Sequence, residues 1–194
     1  MTTLEHIIDK YDLPSRQVII DIPQAGRNDL ASLLRELDFK RGVEIGIQRG
    51  IFSEIICQRN PQMHVYGVDA WARPNGAHMR QRAQKRMGAY SQYSIIDDWS
   101  VSAAQQFADQ SLDFVYIDAD HSYESCLADI NAWHPKIRFG GILSGHDYHN
   151  TIPNSRVQCH VKRAVLDYTR NHQIAPLLIW GRGLDTLTSW SFVV

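Results

Sequence analysis

The spacing of apolar residues changes repeatedly along this chain of 194 residues. From about residue 40, short apolar runs alternate with segments in which apolar residues recur every three or four positions. The short runs are typical of buried β-strands, and the longer segments are typical of amphipathic helices. Strands separated by helices indicate a parallel sheet with crossover connections, so we predict a single α/β domain over residues 1–194.

The apolar runs predict the strands of this sheet. They lie at Gly42–Ile47, Met63–Asp69, Tyr93–Ile96, Leu112–Asp118, Ile142–Gly145, Pro176–Trp180 and Thr188–Val194. A Gly140-Gly141 turn is expected to lead into the fifth strand, because paired glycines interrupt regular structure. The last strand is expected to pair with the sixth across a short loop that contains Gly and Asp.

Helical spacing marks the segments between these strands. The predicted helices begin near Gly50, cover Ser102–Ala108, follow a Ser122 cap as far as Pro135, and cover Val157–Asn171, where Val157 is expected to face inward. The polar segment Ala72–Tyr90 is expected to be part helix and part mobile loop. Residues 1–40 precede the alternating pattern and form a predicted helical extension, in which Asn28 can cap a helix.

The turn after the first predicted strand is the most informative motif. A strand that breaks at Gly46 and turns through Gly50 into a helix is how open α/β sheets build nucleotide sites. The order here, with Glu44, is E-x-G-x-x-x-G and not the G-x-G-x-x-G of dinucleotide enzymes. Because Glu44 would repel a phosphate, a ligand with a cationic or hydroxyl-rich edge fits better.

Acidic residues follow the second and third predicted strands. Asp69 ends the second strand, where a carboxylate can hold the two hydroxyls of a ribose or simply cap the loop. Asp98, Trp99 and Ser100 follow the third strand. Their polar groups could bind the edge of a base while Trp99 packs on its face, or they could form a capped turn with a core tryptophan.

The fourth and fifth predicted strands end in Asp118 and in His146-Asp147, and the two strands are expected to be neighbours. Crowded carboxylates repel each other, and a divalent cation relieves that repulsion. Asp118, His146 and Asp147 are therefore candidate ligands of Mg²⁺ or Mn²⁺. The alternative is a helix cap at Asp120 and a surface pair at His146-Asp147. His121 can act as a general base, or it can only hydrogen-bond at the start of its helix.

Composition narrows the class of protein without indicating a ligand. Hydrophobic residues make up 44% and charged residues 21%, as in soluble globular proteins, and the net charge of −1 gives no general attraction to nucleic acid or membranes. No apolar run approaches a membrane span, and the first residues lack a signal-peptide pattern. Three separated cysteines fit neither a disulfide framework nor a zinc site. We therefore expect a cytoplasmic protein that binds neither nucleic acid nor a membrane.

These motifs together resemble those of class I S-adenosylmethionine-dependent methyltransferases. More narrowly, the sequence is similar to a small family that includes macrolide-sugar O-methyltransferases and proteins related to cephalosporin hydroxylase. The resemblance covers roughly residues 40–194, and its most specific part runs from Asp113 to Tyr148. It implies a Rossmann-like three-layer sandwich with a seven-stranded, mostly parallel sheet whose last strand is antiparallel.

The resemblance also implies roles for individual residues. The cofactor-binding residues would be Glu44, Gly46, Gly50, Asp69, Asp98, Trp99, Ser100 and Asp118. The catalytic residues would be His121 and Asp118, and the ligands of Mg²⁺ would be Asp118, His146 and Asp147. Related catechol-type enzymes carry an acidic pair after the fifth strand, where this chain has His146-Asp147.

The implied activity is metal-assisted O-methylation of a small-molecule hydroxyl, such as that of a sugar, a catechol or a natural product. The alternatives are a non-catalytic S-adenosylmethionine-binding or assembly protein and a hydroxylase-like tailoring enzyme. Basic residues in segment 72–87 could attract an anionic substrate or form a solvated helix face. The absence of a large insertion leaves either an open pocket or one that a second subunit completes in a homodimer.

Overall fold

A computed structural model describes residues 1–151, 159–181 and 188–194. Eight strands lie within these ranges: β1 Ile19–Ile22, β2 Arg41–Ile45, β3 His64–Val68, β4 Tyr93–Ile96, β5 Leu112–Ile117, β6 Ile137–Gly145, β7 Leu177–Trp180 and β8 Ser189–Val193. The α-helices of these ranges are α1 Thr3–Tyr11, α2 Arg27–Glu36, α3 Ile51–Arg59, α4 Gly76–Met87, α5 Ser100–Ala104, α6 Tyr123–Trp133 and α7 Val161–Asn171. A short 3₁₀ turn, His134–Lys136, links α6 to β6.

The strands form one sheet in the order β1-β7-β8-β6-β5-β2-β3-β4. Strand β8 runs antiparallel to both β6 and β7, and the other neighbouring pairs are parallel. The predicted Rossmann-like sheet with an antiparallel last strand is therefore confirmed. The predicted number of seven strands is wrong, because β1 of the N-terminal segment adds an eighth strand beside β7.

Helices cover both faces of the sheet. Helices α1 to α4 pack on one face, where the core includes Leu33, Phe52 and Trp180. Helices α5 to α7 pack on the other face, where Val115 is one of the core residues. Because side chains alternate along a strand, Tyr116 belongs to the first core although it follows Val115 directly. This arrangement is the predicted three-layer sandwich.

Several predicted boundaries differ from the structure. Gly26, and not Asn28, occupies the N-cap of α2, where the Gly26 amide donates to the Asp29 carboxylate at 2.8 Å. Gly140-Gly141 is not a turn before the strand, because β6 already begins at Ile137 and the glycines lie in an irregular part of its pairing with β5. The sequence pattern did not distinguish such a bulge from a turn, since glycine suits both.

Two helices also differ from the predicted bounds. Helix α5 covers Ser100–Ala104 and not Ser102–Ala108. Helix α7 begins at Val161, and the predicted inward-facing Val157 lies outside the described residues.

Across residues 1–151, 159–181 and 188–194, no helix is both long and apolar enough to span a membrane.

Candidate active site

Two adjoining cavities open where the parallel strands end. The larger cavity, about 730 Å³, lies beyond the ends of β2 and β3 and is lined in part by Ile45 and Val68. The smaller pocket, about 200 Å³, lies beside the turn between β2 and α3. Gly46, Asp118 and Ala119 line both, so the two cavities meet at the end of β5. This is the edge at which open α/β sheets bind ligands.

Gly46 allows the turn after β2 to pass close to the end of β5. Its φ is +86°, and its amide donates to the Val68 carbonyl at 2.8 Å. A Cβ at this position would lie 2.0 Å from the carbonyl oxygen of Asp118, closer than any side chain permits. Gly50 also has a positive φ, +70°, and occupies the N-cap of α3. Both predicted glycine positions therefore have a specific backbone role.

Asp69 lines the larger cavity and also organises its wall. Its two carboxylate oxygens accept hydrogen bonds from the backbone amides of Gln48 at 2.8 Å and of Trp71 at 2.7 Å. The Trp71 indole in turn donates to the Gln48 carbonyl at 2.8 Å. The loop-capping role of Asp69 is thus present. A carboxylate has about four acceptor positions, so capacity remains for a ligand hydroxyl.

The residues that follow β4 also line the larger cavity. Asp98 accepts from the Trp99 amide and the Ser102 hydroxyl, each at 2.8 Å, so the predicted capped turn is present. The interpretation of Trp99 as a core residue is wrong, because 67% of its surface is exposed and it lines the cavity. Ser100 also lines the cavity, and its hydroxyl accepts from the Trp133 indole at 3.0 Å.

The larger cavity is strongly acidic. Its lining contains five carboxylates and, among the described residues, a single basic side chain, Arg73; the carboxylates are those of Asp69, Asp98, Asp118, Asp120 and Asp129. Burial raises the pKa of Asp129 to about 6, against a hydrogen bond from Ser100 that lowers it. Asp120 also caps the loop before α6, where it accepts from the Ser122 amide at 2.8 Å. A pyrophosphate would be repelled here, whereas a neutral or cationic ligand would not.

A cluster of Asp118, His121 and Asp147 lies where the cavities meet. One potential ligand atom from each residue lies within 4.8 Å of the others. Nε2 of His121 is 2.9 Å from Asp147 Oδ2 and 3.5 Å from Asp118 Oδ1. Interaction with Asp118 and then with Asp147 raises the pKa of His121 to about 9. Burial alone would raise the pKa of Asp147, but His121 and His146 hold it well below its usual range.

His146 lies against the same two carboxylates but outside this closest group. Its Nδ1 is 3.3 Å from Asp147 Oδ1 and 4.0 Å from Asp118 Oδ2. The structure thus brings the three predicted metal ligands together, and it places His121 nearer to both carboxylates than His146. Asp147 has a positive φ of +54°, so the chain turns sharply directly after His146. The two carboxylates supply the oxygen ligands that Mg²⁺ and Mn²⁺ prefer.

Glu44 lies in the smaller pocket and not in the larger cavity. Its side chain is only 3% exposed and accepts a hydrogen bond from Ser53, whose hydroxyl also contacts the Tyr93 hydroxyl at 2.8 Å. Burial raises the pKa of Glu44 to about 8, although the Ser53 hydrogen bond opposes this shift. Glu44 is therefore mostly protonated at neutral pH.

Sequence reasoning missed other residues that line the cavities. Trp71 follows the strand-end Asp69 by two positions, so a search continued past that acid would have found it. Arg49 lies inside the glycine turn, but its spacing has no special signature. Arg27 reaches the smaller pocket from α2, which precedes the motif-bearing segment. No local pattern in the sequence marks an arginine that arrives from so far away.

Comparisons with known proteins agree with this arrangement. A family model described as a methyltransferase domain matches residues 43–148, which is more than half of the 194 residues. A search of curated proteins finds no match.

Solved structures share the fold at low sequence identity. An O-methyltransferase from Bacillus cereus in complex with SAH is 18% identical, with a TM-score of 0.63 over 99% of this chain and 90% of its own. A proposed caffeoyl-CoA O-methyltransferase from Staphylococcus aureus is 18% identical, with a TM-score of 0.64 over 98% of this chain and 90% of its own. A proposed O-methyltransferase from Nostoc punctiforme is 14% identical, with a TM-score of 0.66 over 86% of this chain.

The present chain spans only 55% of the Nostoc protein. At these identities the structures demonstrate a common fold, while the family match depends on the segment that holds Gly46, Asp69, Asp118 and Asp147. The chain belongs to the methyltransferase domain family, and its sheet has the class I S-adenosylmethionine-dependent arrangement that its motifs predicted.

Proposed function

We propose that this protein transfers a methyl group from S-adenosylmethionine to a hydroxyl oxygen of a small molecule, with the assistance of a divalent cation. One observation carries the proposal: an acidic cavity of nucleoside size meets the Asp118–His121–Asp147 cluster at a shared wall. The acidic cavity suits a cationic sulfonium nucleoside. The Asp118–His121–Asp147 cluster is suited to activating an oxygen.

The larger cavity offers complementary groups for each part of such a cofactor. Asp69 retains acceptor capacity for ribose hydroxyls. The exposed Trp99 indole offers a flat apolar face to the adenine, and its neighbour Ser100 offers a hydroxyl. The excess of carboxylates favours the positive sulfonium over phosphate-bearing nucleotides. These features support the predicted cofactor-binding roles of the residues.

Asp118 lies at the point where donor and acceptor would meet. Methyl transfer to oxygen is a displacement that depends on alignment of the two reactants and on a lowered pKa of the attacking hydroxyl. Asp118 lines both cavities, so one side chain can contact groups on either side of the reaction. Asp147 is buried, and its Oδ1 lies 3.3 Å from His146 Nδ1 but accepts no well-aligned hydrogen bond among the described residues. A metal ion would give this oxygen the direct partner that it lacks.

Asp118 and Asp147 would hold Mg²⁺ or Mn²⁺, with His146 and His121 beside the two carboxylates. When bound, the cation would lower the pKa of the substrate hydroxyl. In the absence of a ligand, His121 carries a proton and balances the charge of the two aspartates. A protonated imidazole cannot accept a second proton, so His121 acts as a base only after its contacts with the aspartates change.

Calorimetric titration with S-adenosylmethionine, S-adenosylhomocysteine and NAD⁺, each with and without Mg²⁺, tests the proposal. We expect micromolar binding of both sulfur nucleotides and no binding of NAD⁺, because the larger cavity repels a pyrophosphate. A screen of catechols, sugars and aromatic acids with labelled cofactor then identifies the methyl acceptor. If neither sulfur nucleotide binds under any condition, the proposed function is wrong.

A further inference from the structure

The smaller pocket has a charge pattern opposite to that of the larger cavity. Three guanidinium groups line its volume of about 200 Å³, those of Arg27, Arg49 and Arg73. They come from three separate segments: the start of α2, the β2–α3 turn and the loop before α4. Convergence of arginines from distant segments in one small pocket is typical of sites that bind carboxylates or phosphates.

Arg49 lines this pocket from the turn between β2 and α3. Its Nε is buried and has no hydrogen-bond acceptor among the described residues. Other arginines of the chain have carboxylate partners, such as Arg80 with Asp97 at 2.8 Å. A buried guanidinium nitrogen that lacks an acceptor loses hydration without compensation. An anion in the pocket would supply the missing acceptor.

Arg27 is held in place on the wall of the same pocket. Its guanidinium lies over the Phe52 ring, 5.1 Å from the centroid, and Nη1 is 3.9 Å from Asp118 Oδ2. Helix α3 begins at Ile51, and its first two residues line the pocket. The positive end of the helix dipole is therefore directed to the same space as the arginines.

The acids of the pocket do not cancel this positive charge. Glu44 is buried beside Ser53 and mostly protonated at neutral pH. Asp118 lies between Arg27 and His121, and its single charge offsets at most one of the cationic groups that line the pocket. Arg73, which also lines the larger cavity, is exposed and forms no ion pair within the described part of the chain. The pocket is therefore electropositive.

We propose that Arg49, together with Arg27 and Arg73, binds a carboxylate in the smaller pocket. Two molecules can supply this group: the amino-acid end of the cofactor, or an acidic substrate. Both reach the pocket through the wall shared at Gly46 and Asp118. The assignment of either source rests on the proposed function, whereas the anion-binding capacity of the arginines does not.

The test compares Arg49→Gln and Arg49→Lys with Arg82→Gln. Arg82 is exposed on α4 and lines neither cavity, so it controls for loss of one surface charge. Each protein is titrated with S-adenosylhomocysteine and with 5′-methylthioadenosine, which lacks the amino-acid end. Benzoate and inorganic phosphate are titrated into ligand-free protein and into protein saturated with S-adenosylhomocysteine.

If the cofactor supplies the carboxylate, Arg49→Gln weakens S-adenosylhomocysteine binding at least 10-fold and leaves 5′-methylthioadenosine binding within about twofold. If a substrate supplies it, both nucleosides bind the variant normally, and benzoate binding to the saturated protein is lost. Arg49→Lys is expected to keep part of the lost affinity, because it retains the charge without the bidentate geometry. This second variant separates loss of binding from loss of folding.

Equal affinities of Arg49→Gln and Arg82→Gln for all four probes would overturn the proposal. A wild-type protein that binds neither nucleoside, but binds benzoate or phosphate through Arg49, would contradict the proposed function and support the anion pocket. A wild-type protein that binds none of the four probes would contradict both.

Discussion

The two cavities share a wall but differ in charge. The larger cavity is lined by five aspartates and one described basic residue, whereas the smaller pocket brings three arginines together around a buried, mostly protonated Glu44. Asp118 and Arg73 line both. Under the proposed function, cationic and neutral parts of the ligands would lie in the larger cavity and anionic parts in the smaller one.

Removal of the Asp118 carboxylate, which lines both cavities, is expected to have the largest effect. We expect Asp118→Asn to lower turnover at least 100-fold while S-adenosylhomocysteine affinity stays within about threefold, because Asp118 acts mainly on the oxygen to be methylated. Turnover and calorimetric affinity measure the two effects. Glu124→Gln, an exposed position in the first turn of α6, is the control.

The same variant tests the metal assignment. Turnover of the wild type is expected to fall when a chelator is added and to recover with Mg²⁺ or Mn²⁺. The residual turnover of Asp118→Asn is expected to depend on the metal as well, at higher concentrations, because Asp147 remains. Wild-type turnover that is identical with and without chelator would remove the metal from the mechanism.

The protonation state of Glu44 bears on the charge difference between the two cavities, because an ionised Glu44 would add a negative charge to the smaller pocket. Its pKa is about 8 in the folded state, against an ordinary value of 4.5. As the pH rises from 4.5 to 8, the unfolded chain releases this proton while the folded chain keeps it, so stability falls. Glu44→Gln lacks this loss. At pH 8 we expect the variant to be more stable than the wild type, on the order of 3 kcal/mol.

Thermal or urea unfolding between pH 5 and pH 8 measures this difference. The stability gap between Glu44→Gln and the wild type is expected to widen with increasing pH and to be small at pH 5. Glu124→Gln again serves as the control, since it removes one carboxylate from an exposed position. A wild type that gains stability relative to Glu44→Gln as the pH rises would show that Glu44 is ionised in the folded protein.

A substitution at Asp69 tests whether this carboxylate binds the ribose of the cofactor. We expect Asp69→Asn to weaken S-adenosylhomocysteine binding about 10-fold, because it removes a charged acceptor and opposes an amide group to a backbone N–H. Calorimetry measures the affinity, and the unfolding midpoint measures the cost to the loop. Asp109→Asn, in an exposed pair with Lys136, is the matched control. An unchanged affinity would limit Asp69 to capping the loop.

Substitution of Trp99 is expected to have the smallest effect on ligand binding. Because its indole is 67% exposed, Trp99→Ala should leave the unfolding midpoint nearly unchanged. Loss of an aromatic face for the adenine should reduce nucleoside affinity about three- to tenfold. Indole fluorescence of the wild type compared with the variant reports the contact directly. A fluorescence response to S-adenosylhomocysteine that is the same in both proteins would contradict the assignment.

The strand-end acids could be predicted from the sequence because their signals are local. An apolar run followed by an acid marks Asp69 and Asp118 whatever the rest of the chain does. The order of parallel strands then brings these ends to one edge. The three layers and the antiparallel last strand were expected from the family resemblance, and the structure confirms both.

Features that depend on distant contacts could not be predicted. Strand β1 has four residues and becomes a strand by pairing with β7, far along the chain. Arg27 joins the site only because α2 packs beside α3. The choice between His121 and His146 depends on the turn at Asp147, where a non-glycine residue has φ of +54°. Spacing in the sequence does not specify such a turn.

The pairing of β1 with β7 has a consequence for the order in which the protein is made. The larger cavity is lined by residues 45–129, so its wall is synthesised well before the ribosome reaches β7. Strand β1, which leads into α2 and Arg27, has no neighbouring strand until Leu177–Trp180 has emerged. Because α2 and Arg27 follow β1 directly, we expect the position of Arg27 in the smaller pocket to become fixed only after β1 has paired with β7.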